Sequence, residues 1–232
     1  IIPVFVKEMK INNDTYKYTL ALLPLVGAIL ASLVIGLNIL LSEFFNPLYA
    51  AFVASVVYLA LYGFLHLEAI CDVVDAWFAS YSGKDPYAIM KDPTIGAIGG
   101  LYAFCFVLLK VGISTYVLFE EQYALFFTVL VFSRLNFMYL LGFFKFSKDS
   151  FLSLAFQGAG VGKLKLYTLV YVILCWYLLP SAIVLLFISM LSFYFVLKVL
   201  NRKFSFVNGD CLGFTLEHTE LILLNIGLAL IL

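Results

Sequence analysis

Apolar runs of about 20 residues recur along this chain. One of them, PLYAAFVASVVYLALYGFL from Pro47 to Leu65, carries no charge. A helix rising about 1.5 Å per residue needs about 20 such residues to cross the hydrocarbon core of a bilayer. Repetition of the pattern leaves few folds open. With 64% hydrophobic and 12% charged residues among 232, the chain has too little polar surface to meet water all round, which excludes a soluble domain. The expectation is an all-α polytopic transmembrane bundle, one integral membrane domain over residues 1–232.

About seven spans are expected, at 18–42, 47–70, 95–118, 121–143, 164–179, 181–200 and 210–231. The second is read as continuing in helix to Ser80, and Pro180 as the turn of a tight hairpin. The first run follows the polar segment KEMKINNDTYK and is too long for a signal-peptide core, so it is read as a retained span. Lys7, Lys10 and Lys17 precede span one, and Lys84 and Lys91 follow span two. Lys145, Lys148, Lys163 and Lys165 follow span four, and Lys198, Arg202 and Lys203 end span six. The opposite loops hold Glu43, Glu120 and Glu121 but no Lys or Arg. This asymmetry predicts a cytoplasmic N-terminus. Zero net charge gives no reason to expect nucleic acid, and Cys71, Cys105, Cys175 and Cys211 sit singly in apolar segments as small hydrophobic filler.

Against this background the acids stand out. In HLEAICDVVDAWF, Glu68, Asp72 and Asp75 fall within about 60° of one another on a helix. In NGDCLGFTLEHTE, Asp210 and Glu217 share a face and Glu220 sits about 80° away. A single such carboxylate is ordinarily a solvated helix end. Six in two face-matched groups at one side of a membrane require cations, and their hard oxygens suit Mg²⁺, which typically takes one or two carboxylates plus substrate phosphates. Between the groups, SGKDPYAIMKDPTIGAIGG offers Lys84 and Lys91 to phosphate oxygens, with Gly96, Gly99 and Gly100 leaving room for close backbone approach. Arg134, more than a turn inside span four, needs either an acid or a ligand phosphate. Lys110 reads as a side chain that snorkels to the interface. His66 lies on the face opposite the acidic stripe and reads as structural before catalytic. Pro24 and Gly27 are read as a kink and a close helix contact.

These three segments together resemble cobalamin synthase, the adenosylcobinamide-GDP ribazoletransferase family. That family carries His-Leu-Asp-Gly-x-x-Asp-x-x-Asp-Gly, matched here from His66 through Glu68, Asp72 and Asp75. It then has Ile-Met-Lys-Asp-x-x-x-Gly-x-x-Gly, matched through Lys91, Asp92, Gly96 and Gly99. Its third block, Gly-Asp-x-x-Gly-Ala-x-x-Glu-x-x-Glu, is matched through Gly209, Asp210, Glu217 and Glu220. Glu68 replaces an Asp, Ala69 and Ala76 replace glycines, and Pro93-Thr94 stands for a Ser-Arg pair, removing a cation that Lys84 or Lys91 must supply.

The resemblance implies a Mg²⁺-dependent transferase of the bacterial or archaeal cytoplasmic (inner) membrane, its active site facing the cytoplasm. It would join adenosylcobinamide-GDP to α-ribazole or its 5′-phosphate, release GMP and complete adenosylcobalamin. Glu68, Asp72, Asp75 and Asp210 are then the expected metal ligands. Lys91 and Arg134 stabilise charge, and Asp75 or Glu217 serves as base. Lys84, Asp92, Gly96, Gly99, Gly209, Glu220 and His66 line the substrate site. Lipid is the surrounding partner, and a homo-oligomer is compatible with the composition. A CDP-alcohol phosphatidyltransferase shares the acidic-helix logic, but its Asp-Gly-x-x-Ala-Arg signature is missing from EAICDVVDA. A divalent-cation transporter would place acids near mid-membrane with an exit on the far side.

Overall fold

A computed structural model describes residues 13–62, 64–144, 146 and 164–231. Lys7, Lys10, Lys145, Lys148 and Lys163, used above for orientation, lie outside them. Nine α-helices are formed by the described residues: α1 (Asn13–Ser42), α2 (Pro47–Leu61), α3 (Leu65–Ala79), α4 (Pro86–Met90), α5 (Ala97–Phe119), α6 (Tyr123–Leu140), α7 (Leu164–Leu178), α8 (Ala182–Phe204) and α9 (Gly209–Ala229). Their starts follow local chemistry. Asn46, Asp85 and Asn208 accept from backbone amides at the first turns of α2, α4 and α9, satisfying donors that a helix cannot satisfy itself.

The expectation of seven spans is corrected. Among the described residues four helices are long and apolar enough to cross a membrane: Ala21–Ser42 in α1, then α5, α6 and α8. A fifth is obtained if Pro47–Leu61 and His66–Ser82 form one broken span, bent by 72°. The physical reasons lie in the other segments. Helix α2 stops where Phe64 adopts left-handed backbone, φ 59°, so the second run is not one helix to Ser80. Helix α7 is short, and α9 has too many ionisable residues for an autonomous apolar span. Helix α9 is instead buried among protein, packing chiefly on α3, α8 and α6.

Helix α6 is the hub, with a core of Leu125, Phe126, Val129, Leu130 and Phe132 packed against α1, α8 and α9. Asn136 donates to Ser189 Oγ at 2.8 Å, tying α6 to α8. Gly27 lets α1 approach α6 closely: a Cβ there would lie 2.2 Å from the Leu130 carbonyl oxygen and 2.9 Å from Arg134 Cδ. Small residues at such crossings are what allow membrane helices to pack by van der Waals contact. Gly27→Ala should therefore force the helices apart and lower stability by about 1–3 kcal/mol, an ordinary overpacking cost. Unfolding in detergent would measure it, and an unchanged midpoint would contradict the close crossing.

Candidate active site

The acids of the first and third sequence blocks meet because α3 lies along α9. The contact is made by small residues: a Cβ on Gly213 would sit 3.0 Å from Ala69 Cβ and 3.4 Å from His66 Cδ2. Seen from this crossing, the six acids divide into three environments.

The first is the seam between α3 and the start of α9. Asp72 and Asp210 are half-buried, and Glu68 is exposed. Asp210 is held by Asn208 Nδ2 at 2.8 Å, while Asn208 Oδ1 accepts from the Cys211 amide. Asp72 is repelled by Asp210, Glu68 and Asp75 and attracted by Lys91. Among the described residues none of these four carboxylates has a basic group within ion-pair distance. Nor do three acidic, His or Cys side chains converge as a ready metal cluster there. The seam is thus a concentration of oxygen donors with unbalanced negative charge.

The second environment belongs to Asp75. Its Oδ2 accepts from the Gly96 amide at 2.7 Å and its Oδ1 from the Gly99 amide at 2.8 Å. Both amides lie at the start of α5, where orphan N–H groups and the helix dipole favour an anion. The sequence reading placed a phosphate beside these glycines; the structure places Asp75 there. A Cβ on Gly99 would fall 2.4 Å from Asp75 Oδ2 and 2.6 Å from the Cys71 carbonyl. Glycine at 96 and 99 thus admits a side chain of the same protein.

This clamp forms one wall of a cavity of about 570 Å³ that also includes Lys84, Asp92, Thr94 and Gly96. Asp92 accepts from the Thr94 hydroxyl at 2.6 Å and from its amide at 2.9 Å. Those two bonds, the hydroxyl foremost, hold the Asp92 carboxyl below the usual carboxylate range. Lys91, just beside the cavity, is exposed and carries its ammonium 5.9 Å from the Tyr87 ring centre. Gly209, at the first position of α9, is exposed.

The third environment lies inside the bundle. Glu217 and Glu220 are fully buried, as is Lys110, whose Nζ lies 3.0 Å from Glu217 Oε2 and 2.5 Å from Glu220 Oε2. Snorkelling is therefore corrected: Lys110 points inward because two carboxylates wait there. Arg134 Nη1 donates to Glu220 Oε1 at 2.5 Å and to the Leu130 carbonyl at 2.9 Å. Ser133 and Tyr58 also donate to Glu220. Arg134 thus has an acid, Glu220, for its partner inside the bundle. Two carboxylates and two cations balance, as an intramembrane cluster must.

His66 connects this interior to the surface. Its Nδ1 is 3.2 Å from Glu217 Oε1, and its side chain is 29% exposed where Glu217 has no exposure. A carboxylate accepts, so Nδ1 carries a proton, and in the neutral ring Nε2 is the nitrogen with a free lone pair. Sequence reasoning missed Lys110, Tyr58 and Ser133 as parts of the network. For Lys110 the signal existed: a lysine in the middle of a span near two intramembrane acids. For Tyr58 and Ser133, common residues in apolar helices, there was none.

The sequence matches the family described as CobS, cobalamin-5-phosphate synthase, over residues 1–228. An adenosylcobinamide-GDP ribazoletransferase of Clostridium perfringens is 31% identical over 93% of this chain and 90% of its own. Proteins of the same name are 28% identical in Chlorobaculum tepidum, over 90% and 85% of the two chains, and 25% in Treponema denticola, over 92% and 88%. No solved structure matches the chain. Three ordered motifs, the first and third meeting at the α3–α9 crossing and the second clamping Asp75, together with this near full-length match, place the chain in the cobalamin-5-phosphate synthase family.

Proposed function

We propose that this enzyme joins adenosylcobinamide-GDP to α-ribazole or α-ribazole 5′-phosphate with release of GMP, using Mg²⁺ at the α3–α9 seam. The observation that carries the reading is the pairing of Asp72 with Asp210, half-buried and without a basic partner, beside Lys91 and the Lys84 cavity. That donor set fits Mg²⁺, which needs only one or two carboxylates when phosphate and water oxygens complete its shell. When bound, the ion would neutralise the diphosphate and polarise the phosphorus under attack.

The residues of the chain divide the remaining work. Asp72 and Asp210 hold the ion, with Glu68 at the seam's exposed edge. Lys91 and Lys84 take phosphate oxygens in place of the arginine that Pro93-Thr94 lacks. Asp75, with both oxygens on amides, acts by fixing the wall that carries Gly96, Asp92 and Thr94. Arg134 and Glu220 act from within, as charges that keep Lys110 and Glu217 in place. Glu217 is sealed against Lys110, so the proton of the ribazole hydroxyl goes to His66 Nε2 as the hydroxyl oxygen attacks phosphorus and GMP departs.

Orientation follows from the same end of the bundle. Lys84, Lys91, Arg202 and Lys203 gather where α3 and α8 finish and α5 and α9 begin, whereas Glu43, Glu120 and Glu121 lie at the far ends of α1 and α5. The positive-inside rule then turns the seam to the cytoplasm.

The test is purified protein with adenosylcobinamide-GDP, α-ribazole and Mg²⁺, followed by detection of GMP. His66→Gln should lower kcat about 10²- to 10⁴-fold, the usual share of general base catalysis, with little change in KM. GMP absent while a CDP-linked lipid is turned over would overturn the reaction. A normal kcat in His66→Gln would remove His66 as the base.

A further inference from the structure

On the face of α3 opposite the carboxylates runs a second cavity, of about 400 Å³. Val74, Trp77 and Phe78 of α3 form one wall and Phe195 and Val199 of α8 the other, with Phe214 and His218 of α9 and Tyr102 of α5 at the inner end. Its volume lies in the range of sites that enclose a small ligand, and its walls decide the chemistry.

Few polar groups reach the lining, and the two nearest its inner end, Tyr102 and His218, are bonded to each other. His218 Nδ1 donates to the Phe214 carbonyl at 2.8 Å, which leaves Nε2 to accept from the Tyr102 hydroxyl at 2.9 Å. The Phe214 ring stacks on His218 with centroids 3.8 Å apart. A polar heterocycle would find little here beyond the Trp77 N–H and the Tyr102 oxygen, whereas a hydrocarbon chain fits the apolar walls.

Charge appears only at the other end. On α8, Phe195, Val199 and Lys203 follow one another at four-residue spacing, so the apolar stripe ends in an ammonium. Lys203 Nζ lies 3.6 Å from the Tyr81 ring centre and 5.2 Å from that of Trp77, itself a wall of the cavity. Among the described residues no carboxylate lies within ion-pair distance of Lys203, and Arg202 is exposed one position earlier. An apolar slot between helices, capped by unpaired cations and by Trp and Tyr at the bundle's basic end, matches one molecule: an amphiphile whose chain lies along the slot and whose anionic head reaches the surface.

We infer that this cavity binds an anionic phospholipid, one acyl chain between α3 and α8 and its phosphate on Lys203. The site is distinct from the α3–α9 seam. The inference rests on the membrane-embedded fold and not on the identity of the reaction.

The experiment uses the full chain in nanodiscs of phosphatidylcholine with a minor fraction of phosphatidylglycerol. Lipid still bound after detergent extraction is quantified by mass spectrometry. Wild type should retain phosphatidylglycerol several-fold above its share of the bilayer. Lys203→Gln should reduce that enrichment to the bulk ratio, and Val199→Trp, filling the slot, should abolish retention of either lipid. Asp72→Asn should retain lipid as wild type does, so failure of the transfer reading and failure of this one can be told apart. Equal retention in wild type and Lys203→Gln overturns the proposal. So does dimer formation by Val199→Cys across the slot, which would make a second copy of the chain the occupant.

Discussion

Lys110→Met should lower the stability of the folded protein by about 3–5 kcal/mol, the usual loss when one partner leaves a buried ion pair. The size follows from what remains. Lys110 Nζ lies between Glu217 and Glu220, at 3.0 and 2.5 Å, and all three side chains are fully buried. Without it, two fully buried carboxylates share one site with Arg134 as the cation left beside Glu220, and Glu217 is left with His66 beside it. The cause is an uncompensated charge and not lost packing, because methionine fills most of the lysine stem's volume. The double variant Lys110→Met/Glu217→Gln, which removes one charge of each sign, should therefore recover much of the loss. Denaturation in detergent with a double-mutant cycle measures both quantities. A single variant as stable as wild type, or a double variant no better than the single, would show that Lys110 does not neutralise this cluster.

Asp72→Asn should produce the opposite signature: a protein that folds at least as well and turns over more than about a hundredfold more slowly. Substitution of groups that merely orient a metal's ligands costs about 10- to 100-fold, and loss of a ligand should exceed that. Stability should not fall, because Asp72 has no ion-pair partner among the described residues and is repelled by Asp210, Glu68 and Asp75. Removing its charge relieves the seam. GMP release, read beside the unfolding midpoint with and without Mg²⁺, tests both halves. Wild type should gain stability on adding Mg²⁺, since an ion that binds only the folded state shifts the equilibrium by mass action, and Asp72→Asn should gain less. Near-normal turnover with an unchanged Mg²⁺ response would remove Asp72 from the metal site.

These two residues show how differently the site could be read in advance. Asp72 was legible because its chemistry is written in spacing: Glu68, Asp72 and Asp75 fall on one helical face wherever that helix packs. Lys110 was legible only as a lysine in the middle of a span, because the choice between snorkelling and pairing depends on which way its helix is turned. The seam could be anticipated as a place where two acidic segments meet. Yet Asp75 and Asp72, three residues apart, have unlike surroundings. One holds two amides of α5 and the other faces open charge, a division set by where α5 begins in space.

The span count failed for a related reason. Apolar length alone treats every run as an independent crossing, but α2 turns at Phe64 and α9 is enclosed by its neighbours. A helix surrounded by protein can carry Glu217 and Glu220, which lipid would not tolerate unpaired.

From the order of its residues alone, the chain was bound to be helical and embedded in a membrane, with carboxylates in two helical stripes and a glycine-rich turn between them. Periodicity and the cost of wetting apolar surface act along the chain and need no knowledge of its neighbours. Only the tertiary structure decided which acids stay available for a ligand, which cap a helix and which are neutralised by Lys110 and Arg134. The charge state and reach of a side chain depend on groups many residues away, brought within 3 Å by packing.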